Sequence, residues 1–145
     1  MDVRLAQPQD HQKLVDLLCV VHGEEFRALA DLEVSLMFSS ALKKLFFIVA
    51  VENEEVVGVA AISEEMFTTD VWGITWVGVH PNHRHNGVGQ EVVEGCLNQI
   101  LGRVEKPVTV ILRTHPDQTG LYDRVGFKVL GPDHEGGTFM TKTIG

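Results

Sequence analysis

The sequence predicts an α+β domain, a mixed and mostly antiparallel sheet flanked by helices. Three observations carry this. Short β-branched runs with a period of two are interspersed with stretches of helical period. Some strand runs are joined by hairpin-length turns, and others are separated by whole helices. The chain has 145 residues, enough for one ordinary domain with a real core, so residues 1–145 are taken as a single domain.

The elements follow in order. "DVRLA" (Asp2 to Ala6) alternates and reads as a first strand. "QPQDHQKLVDLLCVVHG" reads as a turn and then a helix, with Asp10 as N-cap, Leu14, Leu17, Leu18 and Val21 at helical spacing, and Gly23 as the stop. "ALADLEVSLMFSSALKK" carries a second helical pattern through Leu29, Leu32, Leu36 and Met37. "LFFIVAVENEEVVGVAAIS" holds two strands joined at "ENEE", and "VWGITWVGVHP" is a further strand stopped by Pro81. "GQEVVEGCLNQILGRV" is amphipathic, with Val92, Val93, Cys96, Leu97, Ile100 and Leu101 in one stripe. "PVTVILRT" is β-branched, "PDQTGLYDRVG" reads as a short helix, and "GFKVLG" and "GTFMTKT" close the chain as strands.

Composition narrows the function classes. A net charge of −8 argues against broad binding to nucleic acid or to an anionic membrane. Cys19 and Cys96 fall in apolar helical patterns with no CxxC, as expected of buried thiols in a reducing cytoplasm. The start, "MDVRLAQPQD", has no apolar signal region, and "LFFIVAV" and "VTVIL" are too short to span a bilayer. A cytoplasmic protein is expected.

The stretch "VGVHPNHRHNGVGQ", Val77 to Gln90, carries the chemistry. His80, His83 and His85 are close in sequence, but a strand end followed by Pro81 gives their rings no reason to converge, so no metal is expected. Gly87 and Gly89 stand where a loop gives way to a helix. Amides of a first helical turn have no intrahelical acceptor, and their dipoles add to a partial positive charge. Glycine lets an anion come close, and Arg84 adds a charged fork of donors. The stretch reads as a phosphate cradle. It is neither a Walker loop nor a dinucleotide fingerprint, since there is no Gly-Lys-Ser/Thr and no GxGxxG after the first strand.

The pattern R-x-x-G-x-G from Arg84 to Gly89, preceded by "VGVHP", resembles the central motif of the GNAT superfamily of acetyl-CoA-dependent N-acyltransferases. A second block, "LYDRVGFKVLG" (Leu121 to Gly131), is similar to the family's "FYxKxGF" segment, and the element order agrees over the whole chain. The resemblance implies a sheet splayed after the fourth strand, helped by a β-bulge, with acetyl-CoA as cosubstrate. It implies that main chain at Val77, Gly78 and Val79 faces the acyl and pantetheine groups. It places Arg84, His85, Asn86, Gly87, Val88, Gly89 and Gln90 at the pyrophosphate, and Thr114 at the pantetheine. It makes Tyr122 the general acid that protonates the departing sulfur.

In several family members a glutamate on the fourth strand deprotonates the amine. The corresponding position here is near Gly73, which leaves Asp70, Glu65 and His80 as candidate bases. Carboxylates beside aromatic rings suit an ammonium-bearing acceptor, and Glu24, Phe26, Asp70 and Trp72 are expected to line its site. Trp72 and Trp76 share one face of an ideal strand. The expected activity is direct acetyl transfer to the primary amine of a small molecule. Acetylation of a protein N-terminus or lysine, and a CoA-binding module without catalysis, are the alternatives. A homodimer is compatible with this reading.

Overall fold

The computed structural model describes residues 1–39, 45–65 and 68–145. Strand β1 (Asp2–Leu5) precedes helices α1 (His11–His22) and α2 (Arg27–Phe38). Strands β2 (Leu45–Glu52), β3 (Glu55–Glu64) and β4 (Val71–Val79) come next. Helix α3 (Val88–Leu101) leads to β5 (Val108–Thr114), α4 (Thr119–Val125), β6 (Lys128–Pro132) and β7 (Thr138–Ile144). The order is the predicted one. The end of the second helical run, residues 40–44, and Met66 and Phe67 lie outside the described residues.

The strands form one sheet in the order β1-β2-β3-β4-β5-β7-β6. β4 and β5 are parallel, as the crossover through α3 requires, and the other neighbours are antiparallel. Asn53 and Glu54 both have positive φ, 51° and 66°, so "ENEE" closes the β2–β3 hairpin with the backbone hand that suits twisted strands. Asp10 directly precedes α1, but its carboxylate does not cap the helix. It accepts from the Gln7 amide at 2.7 Å and from the Arg4 guanidinium at 2.6 Å, tying β1 to the start of α1.

Helices cover both faces of the sheet. α3 buries Val92, Val93, Cys96 and Ile100 against one face, with Ile48, Ile62, Ile74 and Val110 beneath. α1 and α2 bury Leu14, Leu18, Ala30 and Val34 against the other, over Phe47, Val49 and Val59. Each fully buried Leu, Ile or Phe contributes about 1.5–3 kcal/mol relative to exposure. The buried face of α2 differs from the expected one. Leu29 and Leu32 are 47% and 57% exposed, and it is Ala30 and Val34 that meet the core. The helical period was right, but periodicity alone does not say which stripe faces inward. Among the described residues no helix is long and apolar enough to cross a membrane.

Two irregularities in β4 shape the molecule. Its pairing with β5 ends at Ile74↔Leu112, although both strands continue. Its pairing with β3 goes from Thr75↔Ala61 to Gly78↔Val59, so Trp76 and Val77 together face Ala60. This is a β-bulge, and Trp76 in it has φ +57°. The extra residue reverses the alternation. Trp72 packs under α3, while Trp76 packs on the α1–α2 side, so the two tryptophans do not share a face.

α3 lies very close to β3. A Cβ at Gly58 would stand 2.7 Å from Val88 Cγ1 and 2.9 Å from Val92 Cγ2. Gly58→Val should therefore destabilise the fold by about 1–3 kcal/mol through overpacking. Denaturant unfolding measures this as a lower midpoint at unchanged slope.

Candidate active site

Where β4 and β5 part, a groove of about 730 Å³ opens. The end of β4 gives it Val77, Gly78 and Val79. The following loop and the first turn of α3 give Arg84, His85 and Gly87 to Gln90. α4 contributes Gly120, Leu121, Tyr122 and Arg124, and Val21 of α1 closes the wall. Gly78 is needed there, because a Cβ would stand 2.8 Å from Val21 Cγ1.

The floor is a helix N-terminus. Gly87 is the N-cap of the 14-residue α3, at φ 80° and ψ 3°, and no side chain caps the helix. The Val88, Gly89 and Gln90 amides belong to the first turn and have no intrahelical acceptor. A Cβ at Gly87 would have nothing within 4 Å, so space for a ligand lies beside these amides. A Cβ at Gly89 would press on Leu121 and Val79, at 3.3 and 3.5 Å. The glycines thus serve two purposes, a left-handed turn at Gly87 and close packing at Gly89.

The groove is basic although the chain is acidic. Arg84 Nε donates to the Val79 carbonyl at 3.4 Å, which holds its side chain at the strand end. Arg124 stands one helical turn beyond Gly120, where its Nη1 would be 3.6 Å from a Cβ. Tyr122 is 7% exposed, with its ring edge-on to Phe127 at 6.1 Å. Burial pushes its phenol up to about 12, with a smaller push from Cys96 and a small opposing pull from Thr114. The phenol therefore keeps its proton across the neutral range and is a donor.

Most of the expected cofactor residues come together here: Val77, Gly78, Val79, Arg84, His85, Gly87, Val88, Gly89, Gln90 and Tyr122. Asn86 and Thr114 do not line the groove. Thr114 is buried behind Tyr122 instead. His80 and His83 are ring neighbours, edge-on with 5.7 Å between centroids, and His83 and His85 line the groove. His80 Nδ1 accepts from the Asn82 amide at 3.1 Å, and His83 Nδ1 lies 3.3 Å from Glu52.

A model of the GNAT acetyltransferase domain matches residues 43–129. The chain belongs to the GNAT acetyltransferase family. It is an acetyl-CoA-dependent N-acetyltransferase. Solved GNAT structures share the fold along nearly the whole chain. An aminoglycoside 6'-acetyltransferase type Ii is 23% identical, with 99% of this chain and 97% of that one covered and a TM-score of 0.81. A ribosomal-protein-alanine N-acetyltransferase from Brucella melitensis is 16% identical over 99% and 100%, at 0.79. A GNAT acetyltransferase from the same organism, in complex with acetyl-CoA, is 24% identical over 99% and 88%, at 0.70. Among curated proteins, none matches the sequence significantly.

The GNAT fold separates the residues expected at the acceptor. Asp70 and Trp72 stand at the start of β4, at the end of the strand away from the groove. Asp70 is paired with Lys106 at 2.5 Å, and Trp72 is 5% exposed beneath α3. Glu24 is exposed and paired with Arg27 at 2.8 Å. Phe26 is nearer, edge-on to Trp76 with 6.2 Å between centroids. None of the three candidate bases lines the groove. Glu65 lies over Gly73, with its Oε1 3.3 Å from the Cβ position there.

Sequence reading missed Arg124 and Val21. The signal for Arg124 was present, since it falls four residues after Gly120 on the same helix face. Val21 had none, because only the packing of α1 on Gly78 brings it to the groove.

Tyr122 is the single tyrosine of the chain, so phenolate absorbance reports on it alone. The folded protein should titrate near pH 12, and the unfolded protein near 10. The folded value is the raised one. The corresponding stability is therefore complete below pH 10 and is lost as the pH rises toward 12. Tyr122→Phe should remove that part of the alkaline decline, as read by denaturant unfolding at successive pH values.

Proposed function

We propose that this enzyme moves the acetyl group of acetyl-CoA directly to a primary amine on a small molecule. One observation carries the reading. A single groove joins an uncapped helix N-terminus and two arginines to a protonated phenol at the parting of β4 and β5.

The residues fit the cofactor. The amides of Val88 to Gln90, with Arg84 and Arg124, would hold phosphate oxygens. The bulge releases β4 main chain at Val77 from the β3 ladder, leaving donors and acceptors for amide groups. Bound acetyl-CoA supplies an acyl group already activated as a thioester. Tyr122 would give its proton to the departing sulfur as the carbon–sulfur bond breaks, and the proton that the acceptor nitrogen loses on forming the new carbon–nitrogen bond would restore the phenol. Direct transfer is supported by the thiols. Cys19 and Cys96 are both buried, and burial raises the pKa of each, so neither is an available nucleophile. An aminoglycoside 6'-acetyltransferase shares the fold, and the acceptor is assigned to that broad class, an amine on a small molecule.

The decisive experiment follows free-thiol release from acetyl-CoA against a panel of small amines and of peptide N-termini. Release with a small amine is expected. Release with peptides alone would overturn the acceptor assignment. Failure to bind acetyl-CoA by calorimetry would overturn the site.

Gly87→Glu should abolish acetyl-CoA binding while leaving the circular dichroism native. It places negative charge in the cradle and forces a side chain into a left-handed backbone, at a stability cost of about 1 kcal/mol. Gly87→Ala carries the backbone cost without the charge and should retain most of the affinity.

Tyr122→Phe should lower kcat by ~10²-fold, as expected when a general acid is lost. It should change acetyl-CoA affinity by about 1 kcal/mol at most, the net worth of one hydrogen bond. Wild-type turnover under conditions where chemistry limits the rate would remove Tyr122 from the mechanism.

A further inference from the structure

The bulged residue Trp76 gathers a second cluster, on the α1–α2 side of the sheet. Its indole N–H donates to Glu33 Oε2 at 2.8 Å. The His22 and Phe26 rings stand edge-on to it, with centroids at 5.4 and 6.2 Å. Leu29 and Glu33 are four residues apart on one face of α2, and Phe26 directly precedes that helix. Two of them keep apolar surface open, Phe26 at 39% exposure and Leu29 at 47%. His22 Nε2 is buried without a hydrogen-bond partner among the described residues. The chain joins the cluster to the groove at two points. Trp76 precedes Val77, His22 follows Val21, and both valines line the groove.

These features belong together physically. A non-glycine residue at φ +57° costs free energy, and such positions collect at functional sites. Here the strained backbone holds an indole against a carboxylate. The carboxylate makes no other side-chain hydrogen bond among the described residues. Aromatic rings attract a cation lying within about 6 Å of their faces. A carboxylate held by Trp76, with the Phe26 ring against the same indole and Leu29 one helical turn before Glu33, offers charge at one point and apolar surface near it.

We propose that this cluster sets acceptor specificity, selecting a primary ammonium carried on an apolar aryl or alkyl body. The inference rests on the acetyl-transfer reading above and names the kind of amine that reading requires. Glu33 takes the charge, with Trp76 fixing its carboxylate. Phe26 and Leu29 cover the apolar body. A polycation with no apolar part would satisfy Glu33 and leave those side chains wet.

The chain has two tryptophans, so isotope-labelled protein shows two indole N–H resonances, assigned with Trp76→Phe. The probe is phenethylamine, titrated with and without coenzyme A, and putrescine is the comparison. The Trp76 resonance should move and the Trp72 resonance, from the core under α3, should stay. Putrescine should need at least about tenfold more ligand for the same shift, since it forgoes burial of an aryl ring. Glu33→Gln should weaken phenethylamine about fivefold or more, with the unmoved Trp72 resonance reporting an intact fold. Phe26→Ala should erase the preference over putrescine. A still Trp76 resonance, an equal response to putrescine, or an unchanged titration in Glu33→Gln would overturn the proposal. Wild-type protein that binds phenethylamine at Trp76 but shows no calorimetric binding of coenzyme A would overturn the transfer reading instead.

Discussion

β4 carries one residue more than β3 can pair with, and much of the site depends on that surplus. Trp76 and Val77 share Ala60 as their partner, so the alternation that puts Trp72 and Ile74 on the α3 side is broken before Trp76, which falls on the other side. Trp72 and Ile74 face α3 before the bulge, and Val77 and Val79 still face it afterwards. Without the extra residue those two valines would point toward α1, and Gly78 would turn toward α3. The β4–β5 ladder stops at Ile74, just before the bulge, and the groove begins there. A bulge increases local twist, which is the physical reason a parallel neighbour cannot follow the strand further.

The second requirement is closeness. α3 presents its first turn to the groove only because glycine lets its neighbours approach. Gly58 admits Val88 and Val92, and Gly89 admits Leu121 and Val79. The free amides are therefore held by packing on several sides, in a groove where Arg84 and Arg124 outnumber the single carboxylate of Asp117. A chain of net charge −8 thus keeps a local field of opposite sign, which draws an anion to one place and discourages it elsewhere.

The order of elements was legible in the sequence because period two and helical period are local properties. The cradle was legible because its glycines and Arg84 lie within six consecutive residues. What failed needed tertiary information. No local signal marks the bulge, since Trp76 is neither glycine nor a turn former, and so Trp72 and Trp76 were placed on one face. Asp70 and Trp72 are near β4 in sequence, but a nine-residue strand spans about 30 Å, and sequence does not say which end holds the site. Thr114 and Asn86 fall in the right segments yet do not line the groove. Leu29 and Leu32 looked like core and are exposed, because α2 approaches the sheet through the small Ala30. The residues around Trp76 went unconnected for the same reason, as Glu33 and Trp76 are 43 positions apart.

The reversal of faces along β4 also divides labour between the two sides of one sheet. Cofactor-side contacts come mainly from α3 and α4, and the Trp76 cluster belongs to α1 and α2. Val21 of α1 reaches the groove wall from the second side. Under the proposed acceptor assignment, sequence drift in the outer face of α2 would retune which molecules are accepted while the groove on the α3 and α4 side stays intact. Such an architecture is evolvable in modules, and a mutagenic library confined to the exposed positions of α2 would explore new acceptors at little risk to the transfer machinery.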